Sequence, residues 1–293
     1  MEFLNKATEI LVAVFVVSCM LAVGVSLTVR EILAPLRNGR LVLLALLANF
    51  VLMPLCAIAI ARGLWLDKPL GVALMLLGTA AGAPFLPKLV SAAKGDLAFS
   101  VALTVLLMVL SVGYMPLVLP LLLKGVNVDV MKIARSLVLL MLVPLCTGLA
   151  VKAFFERIAD SLRSWLNRIS NISLVLLILL ILVTNVQKVI SLFGTRGVLA
   201  SVIFLVCGSA AGWLMGGPSS DTRSVLALGT AQRNIAAGLV VGRDFGDPKV
   251  LVMIVVVSIV GLLVLLPLVR VLARRNTRQD GGSTPASGLA KTL

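Results

Sequence analysis

Long apolar runs alternate with short polar segments along the whole chain. A helix needs about 20 apolar residues to cross the hydrocarbon core of a bilayer. Nine runs approach or exceed that length: residues 8–29, 40–62, 69–92, 97–123, 133–153, 166–187, 197–216, 222–242 and 248–272. The pattern therefore predicts an all-α polytopic membrane protein with nine transmembrane helices.

Two of these runs contain residues that disfavour a continuous helix. The third has two glycines and two prolines between residues 78 and 87, and the eighth has four polar side chains between residues 229 and 234. Proline removes a backbone donor, and glycine lowers the cost of leaving the helix. Irregular backbone at membrane depth is tolerated where it is buried in protein or lines a cavity. We therefore expect both helices to be discontinuous.

The same two runs share a four-residue sequence. LGTA occurs at 77–80 and again at 228–231, which is 151 residues later. Gly-Asp pairs ending at Asp96 and Asp247 have the same separation, and each precedes a long apolar run that the Asp is expected to cap. The repeated spacing indicates two related halves rather than a chance match of common residues.

Matching the halves predicts an inverted repeat. Residues 8–123 correspond to residues 166–272, and the helix at 133–153 connects them, so the two halves run in opposite directions through the membrane. Inverted repeats with interrupted helices at matching places are typical of secondary transporters. We expect one transmembrane domain over residues 1–272 and a disordered cytoplasmic tail over residues 273–293, which is polar and rich in Gly and Ser.

Composition supports this interpretation and excludes several others. The chain is 60% hydrophobic and 13% charged, with a net charge of +14. With the N-terminus outside, 14 basic residues fall on the inner side and 10 on the outer side. This bias favours a cytoplasmic C-terminus, most simply in the cell membrane. Aromatic residues make up only 5% of the chain, so the charge does not indicate nucleic-acid binding.

Catalytic and metal-binding motifs are not found in the sequence. It has no histidine, and its four cysteines stand apart in apolar runs. An intramembrane enzyme would need a nucleophile with a base, so we expect no enzymatic activity, no catalytic residue, no metal site and no cofactor. A channel or a structural subunit is a weaker alternative, because the polar residues gather at two points rather than along a stripe.

Four stretches resemble the bile acid:sodium symporter family over about residues 18–272: GVSLTVREILAPLRN, LVLLALLANFVLMPL, KGDLAFSVALTVLL and GTAQRNIAAGLVV. The resemblance implies a core domain and a panel domain, with the third and eighth spans crossing where they unwind. It also implies transport of an organic anion between the domains.

The resemblance further implies positions for ion ligands. Asn49 stands where the family has an amide near one sodium, and Ser100 and Thr104 fall on its fourth-span hydroxyls. Gln232, with Asn234 as a less certain match, falls on the family's Gln-Asn pair, although the alignment is open by one residue.

The sequence departs from the family at two further places. Leu86-Pro87 replaces an expected Ser-Asn pair, and the expected glutamate is replaced by Leu228 or Gly229. Two basic residues, Lys88 and Arg233, lie inside the interrupted runs instead. Because a fixed cation can occupy a sodium site, we hypothesise that these two side chains replace two sodium ions.

Structural explanations remain open for the same residues. Lys88 could extend to the membrane surface, and Arg233 could pair with backbone carbonyls. The hydroxyls of Ser100 and Thr104 could bond to the preceding turn, and Asn49 could join two helices.

The function predicted is alternating-access transport of a small organic anion, without sodium coupling. Sodium-coupled symport of a bile acid-like anion is the alternative. Expected substrate-binding residues are Thr79, Lys88, Thr230, Gln232, Arg233 and Asn234. The bilayer and the small anion are the expected partners, and the sequence leaves a monomer and a homodimer equally open.

Overall fold

The computed structural model describes residues 2–33, 37–123, 129–188, 190 and 196–282. Within these residues the protein is helical, and eight helical segments are long and apolar enough to cross a membrane. A shorter apolar helix, Lys68–Thr79, covers part of the third predicted span. The protein is therefore an all-α polytopic membrane protein, while the count of nine crossings and the inverted relation of the halves stay predictions.

The helices follow the apolar runs in order. They are α1 (Glu2–Gly24), α2 (Val29–Leu33), α3 (Gly39–Leu47), α4 (Met53–Gly63), α5 (Lys68–Thr79), α6 (Leu86–Ala92), α7 (Leu97–Leu122), α8 (Val130–Leu137), α9 (Val143–Phe154), α10 (Glu156–Thr184), α11 (Gly197–Met215), α12 (Ser220–Ala231), α13 (Ile235–Gly242) and α14 (Pro248–Gly282).

Two spans contain a π-helical segment immediately before a proline. Residues Ala48–Leu52 join α3 to α4 ahead of Pro54, and Val138–Leu142 join α8 to α9 ahead of Pro144. A proline cannot donate a backbone hydrogen bond and clashes with the carbonyl four residues earlier. Widening the preceding turn relieves that clash, so these spans continue as helices.

Each helix packs mainly on a few neighbours. Helix α1 packs chiefly against α9 and α10, while α4 packs on α5 and α11 packs on α12. Helix α14 contacts both α5 and α11. Large apolar side chains point outward, including Leu43, Leu117 and Leu262 at 65%, 69% and 58% exposure, as expected where lipid surrounds the protein.

Three boundaries differ from the sequence prediction. The third span is divided between α5 and α6, and α10 begins ten residues earlier than predicted, in an amphipathic segment that a search for apolar runs passes over. Helix α14 continues to Gly282, so residues 273–282 of the predicted tail are helical. Residues 283–293 lie outside the described residues. Lys124 and Lys291, two of the basic residues counted for the orientation, therefore lie outside them too.

Candidate functional site

The two LGTA sequences lie at helix ends that meet in the protein interior. Helix α5 ends at Thr79 and α6 begins at Leu86, whereas α12 ends at Ala231 and α13 begins at Ile235. The backbone N–H of Asn234 donates to the carbonyl of Ala80 at 2.9 Å, which joins the two interruptions directly. The side chain of Asn234 caps α13 by accepting from Ala237 N at 3.1 Å.

Helix α7 packs closely on the first interruption. Gly82 has a φ of 81°, and a Cβ atom there would lie 2.3 Å from the backbone N of Met108. The hydroxyl of Ser111 accepts from Ala81 N at 2.9 Å and donates to Ala81 O at 3.1 Å. The backbone N–H and C=O of Ala81 are thus satisfied by α7, as buried irregular backbone requires at this depth.

Arg233 lies between the two interruptions and is only 3% exposed. Its Nε donates to Leu77 O at 2.8 Å, and its Nη2 donates to Gly78 O at 2.8 Å. Nη1 donates to Asn49 Oδ1 at 2.7 Å and to Thr230 O at 3.2 Å, and Nη2 also reaches Asn49 O at 3.5 Å. All five N–H donors of the guanidinium are therefore used.

Asn49 and Thr230 complete this arrangement. Asn49 is fully buried in the π-helical segment before α4. Its Nδ2 donates to Ala45 O at 3.0 Å and to the Thr230 hydroxyl at 3.3 Å. These bonds orient the amide oxygen of Asn49 toward Arg233. The structure thus brings together Asn49, which the resemblance places near an ion, and Thr230 and Arg233, which were expected to bind substrate.

The five acceptors around Arg233 form a cage of neutral oxygens for one cation. Two of them are among the last carbonyls of α5, where the helix dipole places partial negative charge. Among the described residues, no carboxylate pairs with Arg233. The guanidinium is the only formal charge in the cage. Thr79 remains outside it, because its hydroxyl bonds to Met75 O and Leu76 O of its own helix, each at 3.0 Å.

Lys88 is placed differently from the hypothesis. Its side chain is exposed and lies over the ring of Phe85, with Nζ 5.3 Å from the ring centroid. Within the described part of the chain, no hydrogen bond from Nζ to an oxygen is found. An ammonium that replaced a sodium ion would be enclosed by oxygen ligands, so this placement does not support the hypothesis that Lys88 replaces a second sodium, which stays a prediction.

Lys88 instead lines a cavity of about 240 Å³ next to the crossing. Leu174 and Ile178 of α10 form one wall, and residues of α14 from Val257 to Leu266 form another. Only four of the seventeen lining residues are polar, namely Lys88, Gln232, Arg233 and Ser258. Gln232 Oε1 is buried without a partner among the described residues, so it is free to accept a hydrogen bond.

The model of the sodium bile acid symporter family matches residues 13–193, which is more than half of the chain.

The chain belongs to the sodium bile acid symporter family.

Its relatives are transporters rather than enzymes. The probable chloroplast sodium/metabolite cotransporter BASS3 of Arabidopsis thaliana is 24% identical over 83% of this chain and 59% of the relative. The uncharacterized sodium-dependent transporter YocS of Bacillus subtilis (strain 168) is 29% identical over 50% and 46%. The hepatic sodium/bile acid cotransporter of Rattus norvegicus is 28% identical over 51% and 43%. The chain thus spans about half the length of these curated relatives.

Leu86, which stands where the family resemblance leads one to expect a polar residue of a Ser-Asn pair, lies in apolar surroundings. Leu86 is fully buried and packs against Gly229, where an added Cβ would lie 2.8 Å from Leu86 Cδ2, and Leu103 is adjacent. Ser100 and Thr104 donate to Leu97 O at 2.7 Å and to Ser100 O at 2.8 Å. These hydroxyls bond within α7, which is the structural alternative that the sequence left open.

Several contributors to the site were missed from sequence. The carbonyls of Leu77 and Gly78 carry no side-chain signature, so only the structure identifies them. Ser111 could have been found, because it follows Thr104 by seven residues and lies on the same face of α7. Tyr114 was also missed; its hydroxyl donates to Phe50 O, and their ring centroids are 4.7 Å apart.

Proposed function

We propose that this protein is a secondary transporter of small organic anions in which Arg233 permanently supplies the positive charge of a bound sodium ion. Transport would then proceed without sodium coupling. The observation that carries the proposal is the cage of five neutral oxygens filled by the Arg233 guanidinium.

The chemistry of the cage supports this replacement. Unwound backbone carbonyls and helix C-terminal ends are what coordinate sodium in transporters with interrupted helices. Here the same kinds of group accept hydrogen bonds from Arg233, and the apolar side chain of Leu86 packs against Gly229, so neither residue offers the side-chain oxygens expected from the family resemblance. A sodium ion entering the cage would meet a fixed positive charge and no unoccupied acceptor. The relatives are named as sodium cotransporters, so sodium-coupled symport is the competing proposal.

The cavity beside the crossing supports a small anion with an apolar body. Lys88 offers an ammonium group with no competing carboxylate in the lining, and Gln232 offers an amide. The remaining walls are nearly all apolar. At about 240 Å³, the cavity lies below the range of roughly 300–1,000 Å³ typical of drug-sized ligands. A short-chain carboxylate fits these features better than a steroid.

The bias of basic residues gives the orientation. We assign the C-terminal end of α14 to the cytoplasm and the N-terminus to the outside of the cell membrane. The cavity is lined by Lys88 in α6 and by Leu265 and Leu266 in α14, which approach that inner face. We therefore infer an inward-facing state.

Substrate screening tests the anion site. Thermal unfolding of the purified protein would be measured with choline salts of linear monocarboxylates of increasing chain length. Lys88→Gln should weaken the apparent affinity by about 10- to 100-fold, because a charge-assisted hydrogen bond contributes roughly 1.5–3 kcal/mol. Lys94→Gln is the matched control, since Lys94 is exposed six residues later and does not line the cavity. Equal affinities in the wild type and Lys88→Gln would contradict the assignment.

A further inference from the structure

A second cavity lies on the same face of the protein as the C-terminal end of α14. It is a groove of about 590 Å³ between the start of α3 and the junction of α11 with α12. The lining residues are Asn38, Arg40, Leu41, Leu44, Leu214, Gly217, Pro218, Ser219, Thr222 and Arg223. This inner groove has no part in the anion site described above.

The polar end of the inner groove is positively charged. Arg40 is exposed, and among the described residues its guanidinium has no protein partner. Arg223 donates from Nε to Gly217 O at 2.6 Å, which fixes the side chain while its two Nη groups remain available. The lining contains no Asp or Glu within the described residues. Two guanidinium groups thus face one groove without a carboxylate to neutralise them.

A tryptophan places this charge at the boundary of the bilayer. The ring of Trp213 lies 5.8 Å from the guanidinium carbon of Arg223 and 4.9 Å from that of Arg275. Tryptophan is enriched where the hydrocarbon region meets the headgroups. Arg275 therefore adds a third positive charge at the same depth, next to the groove.

The other end of the groove is apolar and faces lipid. Leu214 is 80% exposed, and Leu44 is partly exposed on the neighbouring span. The groove thus carries positive charge toward the aqueous side and aliphatic side chains toward the hydrocarbon. A phospholipid has the complementary arrangement, since its phosphate lies at the headgroup level above its acyl chains.

We propose that the inner groove binds an anionic phospholipid, with the phosphodiester between Arg40 and Arg223 and an acyl chain along Leu44 and Leu214. Arginine matches phosphate geometry because its planar fork donates two parallel hydrogen bonds. Basic pockets between transmembrane helices on the inner side recognise such headgroups. The negative charge of a phosphatidylglycerol headgroup is opposite in sign to the two guanidinium charges of the groove.

Binding at this position has a structural consequence. Helix α3 leads into the segment that contains Asn49, and α12 ends at Ala231, two residues before Arg233. The lipid would bridge the starts of the two helices whose far ends hold the cation cage. We therefore expect the bound lipid to raise the thermal stability of the whole protein rather than only that of its surface.

Native mass spectrometry with delipidated protein tests the proposal. The probes are phosphatidylglycerol, phosphatidylcholine with the same acyl chains, and glycerol 1-phosphate. Phosphatidylglycerol should bind in preference to phosphatidylcholine. Arg40→Gln should reduce its affinity by about fivefold, because each basic residue near the surface contributes roughly 1 kcal/mol toward anionic lipid. Arg62→Gln, at the opposite end of the same span, should change the affinity by less than about twofold.

Three outcomes would overturn the proposal. Equal binding of the two phospholipids would show that the headgroup charge is not recognised. Unchanged phosphatidylglycerol affinity in Arg40→Gln would place the lipid elsewhere. Thermal stabilisation by glycerol 1-phosphate equal to that by phosphatidylglycerol would identify a soluble phosphate as the occupant. Arg40 has no protein partner among the described residues, so its variant is expected to fold.

Discussion

Replacing Arg233 by methionine removes the cation from the oxygen cage while keeping an unbranched side chain. Four of its five hydrogen bonds are 3.2 Å or shorter. Hydrogen bonds to charged groups are individually worth about 1.5–3 kcal/mol. Their sum overstates the loss, because methionine also avoids the cost of burying a charge. The groups left behind are neutral oxygens, and each buried acceptor without a donor costs about 1–3 kcal/mol, so we expect a net loss of about 3–5 kcal/mol for Arg233→Met.

Thermal unfolding in detergent, followed by tryptophan fluorescence, measures this loss. A destabilisation of that size should lower the midpoint by roughly 6–20 °C. Arg233→Lys keeps the charge but has only three donors, so its midpoint should lie between those of the wild type and the methionine variant. Arg62→Met is the control at an exposed position, where the change should stay within about 0.5 kcal/mol.

Sodium provides a second measurement on the same cage. Arg233→Ala leaves the oxygens unpaired and opens space for a cation. If sodium enters with a Kd of about 10 mM, 150 mM sodium stabilises this variant by about 1.6 kcal/mol relative to choline. The wild type should show no such difference. Unchanged stability of Arg233→Met, or sodium stabilisation of the wild type equal to that of Arg233→Ala, would refute the reasoning.

Two further predictions concern the surroundings of the cage. Asn49→Ala should lower the free energy of unfolding by about 2–3 kcal/mol, because Nη1 of Arg233 loses its side-chain acceptor. Asn49→Asp should be tolerated, because the carboxylate keeps an acceptor at this position. Gly82→Ala should lower the free energy of unfolding by about 2–5 kcal/mol, because the new Cβ overlaps α7 and the backbone φ is positive. Gly246→Ala is the control, because its φ is also positive, at 71°, but the space around it is open. It should cost only about 1–2 kcal/mol. Similar losses for the two glycine variants would contradict the close packing on α7.

The helical fold was predictable because the length of the apolar runs determines it. Each run is long enough to satisfy its own backbone inside lipid, and the Gly and Pro residues after the first LGTA mark where that fails. The end of α14 was not predictable from polarity. Asn276 is polar yet only 1% exposed, since it donates to Ala93 O at 2.9 Å and accepts from Ser220 Oγ at 2.6 Å. These distant contacts extend the helix beyond the apolar run.

The site was predictable in part. A basic side chain inside an apolar run indicates a buried cation, and for Arg233 the structure shows this burial. Lys88 is exposed instead, because its exposure depends on how α6 is rotated, and the sequence does not determine that rotation. The partners of Arg233 are mostly backbone carbonyls, which any residue can provide. The pattern of side chains therefore indicates where the cation lies but does not identify the carbonyls that surround it.

Uptake into proteoliposomes with and without an inward sodium gradient tests the central claim most directly. The substrate would be a monocarboxylate identified by the binding screen, and internal and external potassium would be equal so that only the sodium gradient differs. Because Arg233 already supplies the charge in the cage, the initial uptake rate should be the same in sodium and in choline. A rate that depends strongly on the sodium gradient in the wild-type protein would contradict the account.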